Sequence, residues 1–233
     1  MTEKTAIKTY VTIILDRSGS MESCKSATIN GFNENVQVIR RTADENGMRA
    51  DTFVSLVQFN DRIAFSQFAA PLEKLTEIDE STYQPNANTA MLDAIGETLA
   101  RMDREVTDSD NNRYLVTVFT DGEENASKEY TWETIAKMIQ SRLNTNRWTF
   151  SYIGANQDLS QVAERTAIPR QNMMSYHSDN EGTMLSMDSM SKSMVSFMDH
   201  SHIGGGSMIG FFPSDEEADT PKKPSRKVLK KKK

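Results

Sequence analysis

Two apolar runs constrain the fold of this chain more strongly than any other feature of its sequence. Residues 8–15 (KTYVTIIL) and 114–120 (YLVTVFT) are rich in β-branched residues and place apolar side chains on both faces. Such runs are typical of central strands in a parallel sheet, because helices cover both faces of that sheet. Each run is followed by an aspartate, Asp16 or Asp121. The sequence therefore predicts an α/β protein with a carboxylate at the end of each of two buried strands.

The segments between these strands have helical periodicity. Apolar residues recur at spacings of three and four in 29–39, 92–102, 135–143 and 159–166. This spacing indicates amphipathic helices. Further strand-like runs occupy 52–59, 62–68 and 148–153, and the first two flank Asn60-Asp61, which suits a hairpin turn. Alternating strands and helices, with one such hairpin, predict a mostly parallel sheet that has one antiparallel edge strand and helices on both faces.

The last predicted helix, 178–198, has an apolar stripe made of methionines. Its members are Met184, Met187, Met190, Met194 and Met198. We expect this stripe to pack on the sheet or on the first helix; the alternative is a groove for a partner, because flexible thioethers adapt to many surfaces. Ser178 and Glu181 have the spacing of a capping box at the start of this helix. The predicted domain covers residues 1–202.

Residues 203–233 are predicted to be a flexible tail, first acidic and then basic. Lys and Arg supply eight of the last twelve residues, whereas residues 1–221 hold 19 basic and 33 acidic residues, a net charge of −14. Residues 1–221 repel nucleic acid because of this negative charge, so only the basic tail is expected to bind polyanions. The tail either contacts nucleic acid or anionic lipid weakly, folds back on the body, or is solvated.

Composition excludes several other classes of protein. No apolar run approaches the roughly 18 residues of a membrane-spanning helix. The first residues lack the layout of a secretory signal, so we expect a cytoplasmic location. Cys24 is the single cysteine, which excludes an internal disulfide and a cysteine-cluster metal site.

Side-chain oxygens are concentrated in three loops that the predicted sheet brings to one edge. They belong to Asp16, Ser18, Ser20, Thr89 and Asp121. Loops at the carboxyl ends of parallel strands converge where the strand order reverses. Two carboxylates and three hydroxyls, without sulfur or imidazole, suit a hard divalent cation such as Mg²⁺ or Mn²⁺. These side chains leave room in the coordination shell for water or an outside ligand, and an external carboxylate is the expected further ligand.

A purely structural explanation of the same residues is the alternative. Serines cap helices, and aspartates commonly end strands. Asp93, four residues after Thr89, either accepts a hydrogen bond behind the metal ligands or is exposed to solvent. Glu123 and Glu124 are expected in a solvated loop.

The three motifs Asp16-Arg-Ser-Gly-Ser20, Thr89 and Phe119-Thr-Asp121-Gly together resemble the metal-ion-dependent adhesion site (MIDAS) of von Willebrand factor type A (VWA) domains. Over residues 8–170 the chain resembles stand-alone intracellular VWA proteins of bacteria and their phages. The resemblance implies a Rossmann-like three-layer α/β sandwich. It also implies that Ser18, Ser20 and Thr89 bind Mg²⁺ through their hydroxyls, that Asp16 and Asp121 bind it directly or through water, and that a partner's Asp or Glu completes the shell. Asn86-Ala-Asn88 departs from the glycine-rich lead-in that often precedes the threonine in this family.

The expected role is a protein-binding module rather than an enzyme, with an unidentified protein as its partner. Two other hypotheses remain at this point. One is a Mg²⁺-dependent phosphoryl-transfer enzyme that uses Asp16 as its nucleophile, although Ser18 stands where that chemistry needs a second carboxylate. The other is an adaptor whose basic tail docks it on nucleic acid or a membrane.

Overall fold

A single six-stranded sheet forms the centre of the computed structural model, which describes residues 6–155 and 157–212. The strands are β1 (Lys8–Asp16), β2 (Thr52–Phe59), β3 (Ile63–Pro71), β4 (Asn112–Thr120), β5 (Trp148–Ala155) and β6 (Met173–Tyr176). Their order is β3-β2-β1-β4-β5-β6, and only the β2–β3 pair is antiparallel. The predicted mostly parallel sheet with one antiparallel edge strand is therefore confirmed.

Five helices cover the two faces of this sheet in the described residues. They are α1 (Lys25–Glu45), α2 (Met91–Glu105), α3 (Trp132–Leu143), α4 (Leu159–Thr166) and α5 (Asn180–His202). Neighbouring residues of β1 belong to opposite cores: Ile13 lies in the cluster formed with α1 and α5, and Ile14 in the cluster formed with α2 and α3. Both faces of the sheet are thus buried, as a three-layer sandwich requires. No helix in the described part of the chain is long and apolar enough to cross a membrane.

The strand order reverses between β1 and β4, at the centre of the sheet. From β1 the chain passes through α1 to β2 on one side, and after β3 it returns through α2 to β4 on the other side. The parallel register pairs Leu15 with Phe119, so Asp16 and Thr120 end their strands side by side. This is the crevice in which open α/β sheets bind ligands.

The methionine stripe of α5 packs against α1, in agreement with the first of the two interpretations. Met187, Met190, Met194 and Met198 are buried, whereas Met184 is 61% exposed. Met187 contacts α1 closely: the Asn35 side-chain amide donates to its carbonyl at 3.3 Å. The stripe is therefore core, apart from its first member.

Two details at helix starts differ from the sequence-based predictions. α1 does not begin directly after the serines, because a 3₁₀ turn covers Gly19–Cys24. The predicted capping box of α5 is wrong: Asp179 is the N-cap, and its carboxylate accepts the Gly182 N–H at 2.7 Å. Ser178 lies outside the helix and donates to Asp121 instead, at 3.0 Å.

Residues 203–212, which the sequence assigned to the tail, pack on the domain. Phe211 and Phe212 are 2% and 9% exposed. The Asn172 side-chain oxygen accepts the N–H groups of Gly210 and Phe211 at 2.8 and 2.9 Å, which anchors the segment beside β6. The domain boundary predicted at residue 202 therefore lies about ten residues too early. Burial of two adjacent phenylalanine side chains stabilises the packed segment by more than the ordering of its glycine-containing backbone costs in conformational entropy. Residues 213–233 lie outside the described residues, so the basic tail stays a prediction.

Candidate metal centre

Asp16 ends β1 as a buried carboxylate held by neutral donors. One oxygen accepts the Ser18 N–H and the other accepts the Thr120 hydroxyl, both at 2.6 Å. The Tyr83 hydroxyl donates to the Asp16 carbonyl at 2.6 Å and fixes the backbone. Burial raises the pKa of Asp16 to about 6, because desolvation outweighs the hydrogen bonds from Thr120 and Ser18 that lower it. Among the residues that the structure describes, no positive charge lowers this pKa.

The turn after Asp16 places two serine hydroxyls at the same edge of the sheet. The Ser18 and Ser20 hydroxyl oxygens lie 3.1 Å apart, and the Ser20 hydroxyl donates to Asp121 at 2.5 Å. Backbone hydrogen bonds join this turn to the loop before α2: the Gly19 N–H donates to the Ala87 carbonyl at 3.0 Å. Ala87 has φ +62°, the left-handed conformation that favours glycine. The Asn-Ala-Asn segment thus adopts a glycine-like course without a glycine.

The position of Gly122 shows that Thr89 belongs to the same group of oxygens. A Cβ built on Gly122 would lie 2.8 Å from the Thr89 hydroxyl oxygen and 3.6 Å from those of Ser18 and Ser20. Asp121 precedes Gly122 and already accepts the Ser20 hydroxyl. The structure thus brings all five side chains to one point: Asp16, Ser18, Ser20, Thr89 and Asp121.

The chemistry of these residues fits a hard divalent cation. In residues 6–155 and 157–212, no ion pair involves Asp16 or Asp121, so neither carboxylate has a basic side chain to balance it. The donors are all oxygen, which Mg²⁺ and Mn²⁺ prefer. The described residues contain no cluster of three or more His, Cys, Asp or Glu suited to a metal, so a site here depends on its hydroxyls.

Comparison with protein families identifies the family of this chain. A family model described as von Willebrand factor type A domain matches residues 11–189. The chain belongs to the VWA family. The matched range runs from β1 into α5 and includes all five oxygen donors. No curated protein sequence matches the chain.

Solved structures share the VWA fold at low sequence identity. The pilus adhesin SpaC from Lactobacillus rhamnosus GG, in an open conformation, gives a TM-score of 0.59 at 10% identity, covering 82% of this chain and 30% of its own. Proximal thread matrix protein 1 from the mussel byssus gives 0.56 at 12% identity, covering 78% and 46%. The same mussel protein with a zinc-occupied MIDAS motif gives 0.52 at 16% identity, covering 82% and 46%. The chain spans less than half the length of these structures, and the likeness confirms the predicted Rossmann-like fold.

The β4–α3 loop of this VWA domain positions Thr89, a role that sequence reasoning missed. Thr89 and Asn125 exchange two hydrogen bonds of 3.0 Å, one from each backbone N–H. Glu124, expected in a solvated loop, accepts the Leu92 N–H at 2.9 Å and the Ser127 hydroxyl at 2.8 Å. The loop that carries Asp121 is thereby fixed both to Thr89 and to the start of α2, which begins two residues after Thr89.

Asp93 holds the β4–α3 loop in place. Its carboxylate accepts the backbone N–H groups of Lys128, Glu129 and Tyr130 at 2.8 to 2.9 Å. It therefore supports the β4–α3 loop from α2 and makes no hydrogen bond with the five oxygen donors. Its offset from Thr89 gave no sign of this, because the contact depends on the path of a loop 35 residues away.

Three other residues near the centre were not identified from the sequence. Thr120 and Tyr83 bond the Asp16 carboxylate and carbonyl, and Ser178 bonds Asp121. Thr120 follows from the strand register once β1 and β4 are known to be neighbours. No signal marked Ser178, since the preceding strand, β6, was not predicted.

We expect Gly122→Ala to lower the affinity for Mg²⁺ by about tenfold or more, because the added Cβ collides with the Thr89 hydroxyl. The collision moves a ligand rather than the core, so the thermal midpoint should change little. Calorimetric titration with MgCl₂ measures the affinity. Gly19→Ala is the matched control, since its Cβ would lie 3.4 Å from the Ala87 carbonyl oxygen, an ordinary contact. Equal affinities of the two variants would show that Thr89 is not a ligand.

Proposed function

We propose that this chain is a metal-dependent protein-binding module. A divalent cation, Mg²⁺ or Mn²⁺, is held by Asp16, Ser18, Ser20, Thr89 and Asp121 and bridges to an Asp or Glu side chain of a partner protein. The observation that carries the proposal is the meeting of five oxygen donors from three distant segments around Gly122. Membership of the VWA family and the zinc-occupied MIDAS motif of the mussel protein support it.

The cation supplies positive charge to which an external carboxylate binds. The residues of the chain prepare the site for it. Thr120 and Ser18 orient the Asp16 carboxylate, and Ser178 holds the outer oxygen of Asp121. The five side chains do not fill the six ligand positions that Mg²⁺ prefers, so an external ligand can bind the cation, and an anionic carboxylate oxygen is favoured there over a neutral group.

A protein-binding function is better supported than a phosphoryl-transfer activity. Both Asp16 oxygens already accept hydrogen bonds, and the side chain is 0% exposed, which disfavours attack on a phosphoryl group. The similar solved structures include a pilus adhesin and a thread matrix protein. The phosphoryl-transfer hypothesis survives only if Mg²⁺-dependent hydrolysis of p-nitrophenyl phosphate is found and is lost in Asp16→Asn. The cytoplasmic location remains a prediction from the sequence.

Ser18→Ala is expected to weaken Mg²⁺ and Mn²⁺ binding by about tenfold or more while leaving the fold intact. The side chain is 2% exposed, and its hydroxyl oxygen lies 3.1 Å from that of Ser20, so its loss removes a polar ligand rather than an apolar group of the core. Calorimetric titration with each chloride salt measures the change. Ser196→Ala, on the exposed face of α5, is the control. Unchanged metal affinity in Ser18→Ala would contradict the proposal.

The bridge to a carboxylate has its own test. Mn²⁺ bound to the protein enhances water-proton relaxation through the water molecules in its shell. Acetyl-Gly-Asp-Gly-amide should reduce this enhancement because its carboxylate displaces water, whereas acetyl-Gly-Asn-Gly-amide should not. Equal effects of the two peptides would rule out carboxylate recognition while leaving metal binding intact.

A further inference from the structure

A cavity of about 180 Å³ lies next to the candidate metal centre, and the proposed site does not use it. Gln157 lines the cavity and donates from its side chain to the Gly122 carbonyl at 2.7 Å. The Tyr152 hydroxyl donates to the Gln157 side-chain oxygen and fixes this arrangement. Gly122 is the residue around which the three hydroxyls gather. Gln157 and Gly122 therefore join the cavity to the candidate metal centre.

Apolar and polar side chains both line the cavity. Three of its lining residues, Met91, Tyr152 and Val162, are buried, with 1%, 1% and 9% exposure, and they offer contacts to the aliphatic stem of one side chain. Trp132 forms part of the wall, and the Arg165 guanidinium lies 3.9 Å from the centre of its ring. The volume is below the range of about 300 to 1,000 Å³ that holds a drug-sized ligand. One long side chain, rather than a cofactor, is the occupant of suitable size.

The charges around the cavity select the head group of that side chain. The lining includes three carboxylates, from Glu123, Glu124 and Asp158, and a single cation, Arg165. Glu124 is saturated by loop hydrogen bonds and Arg165 lies against Trp132, whereas Glu123 makes no hydrogen bond or ion pair with any residue that the structure describes. A lining that combines buried apolar side chains with a net negative charge is complementary to an aliphatic chain that ends in a cation.

We propose that this cavity binds a lysine or arginine side chain of the partner, close to the carboxylate that completes the metal shell. The proposal deepens the metal-dependent binding function and rests on it for the role of the pocket. The partner would then present an acidic residue and a basic residue a few positions apart. Glu123 and Asp158 are the specificity-determining residues. Asp158 uses one carboxylate oxygen to accept the N–H groups of Ser160 and Gln161 at the start of α4, which leaves its other oxygen for the head group.

The pocket is tested alone by titrating ¹⁵N-labelled protein with N-acetyl-lysine-methylamide in EDTA. The Trp132 indole N–H and the Gln157 side-chain amide should shift, and N-acetyl-norleucine-methylamide, of similar length and uncharged, should bind about fivefold more weakly. The double variant Glu123→Gln/Asp158→Asn should remove this preference, with the fold retained because asparagine also caps helices. Glu129→Gln/Glu164→Gln, which removes two exposed charges outside the cavity lining, is the matched control.

The metal-dependent arm separates the two proposals. Acetyl-Asp-Gly-Lys-amide and acetyl-Asp-Gly-norleucine-amide are titrated into the protein in Mg²⁺. Wild type should bind the lysine peptide about fivefold more tightly than the norleucine peptide. The double variant should bind the two peptides with equal affinity. Metal-dependent binding of both peptides with equal affinity would overturn the pocket and keep the metal-dependent function. If N-acetyl-lysine-methylamide binds the cavity but the protein binds no Mg²⁺, the metal-dependent function is contradicted and the proposed lysine pocket is supported. Absence of shifts at Trp132 and Gln157 would also overturn the pocket.

Discussion

Asp16→Asn is expected to abolish Mg²⁺ and Mn²⁺ binding and, at the same time, to stabilise the metal-free protein. An asparagine oxygen can accept the Ser18 N–H, and the Thr120 hydroxyl can turn to the Gly122 carbonyl at 3.2 Å, so the shape of the site is kept. The carboxylate is buried without an opposing charge, which raises its pKa to about 6. At pH 7 the neutral amide avoids that desolvation cost, worth about 1 to 3 kcal/mol in the free energy of unfolding.

Calorimetry measures the loss of metal binding, and urea denaturation in EDTA measures the gain in stability. Asp61→Asn, in the exposed turn between β2 and β3, removes one carboxylate elsewhere and should change neither quantity. A loss of metal affinity together with a gain in the free energy of unfolding distinguishes a metal ligand from a carboxylate with a structural role. If Asp16 only ended its strand, the variant would bind metal like wild type or lose stability in EDTA.

Phe211→Ala is expected to lower the free energy of unfolding by about 3 to 5 kcal/mol, the cost of emptying a buried aromatic site. Phe211 is 2% exposed, and its ring lies 5.0 Å from that of Phe212 in an edge-to-face pair. The loss would show that residues 203–212 belong to the domain. Metal affinity should stay close to wild type, because no hydrogen bond joins this segment to the five oxygen donors among the described residues.

Urea denaturation of Phe211→Ala and Ile209→Ala makes the comparison within one segment. Ile209 is 72% exposed, so its truncation should cost less than about 0.5 kcal/mol. Similar small changes in both variants would contradict the packed position of the segment and restore the boundary predicted at residue 202.

The sequence predicted the central strands and α4 well, because their patterns are local. β1 and β4 are apolar on both faces, and α4 coincides with the predicted range 159–166. β6 escaped prediction because its four residues have no distinctive pattern, and its place is set by pairing with β5. The packing of Phe211 depends on Asn172, 39 positions earlier, which no local pattern reveals.

The candidate site likewise contains residues that the sequence could identify and supporting residues that it could not. Asp16 and Asp121 could be named from the sequence because strand ends converge in any parallel sheet. Their supporting contacts could not, since Glu124, Asp93 and Ser178 act through loops whose paths depend on tertiary packing. Asp93 shows the difference: the residue type suggested a role near the metal, and the fold uses it to fix a loop.

The central claim is that five oxygen donors from three segments hold one divalent cation. Anomalous X-ray diffraction from crystals grown with MnCl₂ tests it most directly. The account predicts one strong manganese peak in contact with the hydroxyl oxygens of Ser18, Ser20 and Thr89, and no such peak in crystals of Asp16→Asn. Absence of a peak there in the wild-type protein at saturating Mn²⁺, or a peak only at another surface, would contradict it.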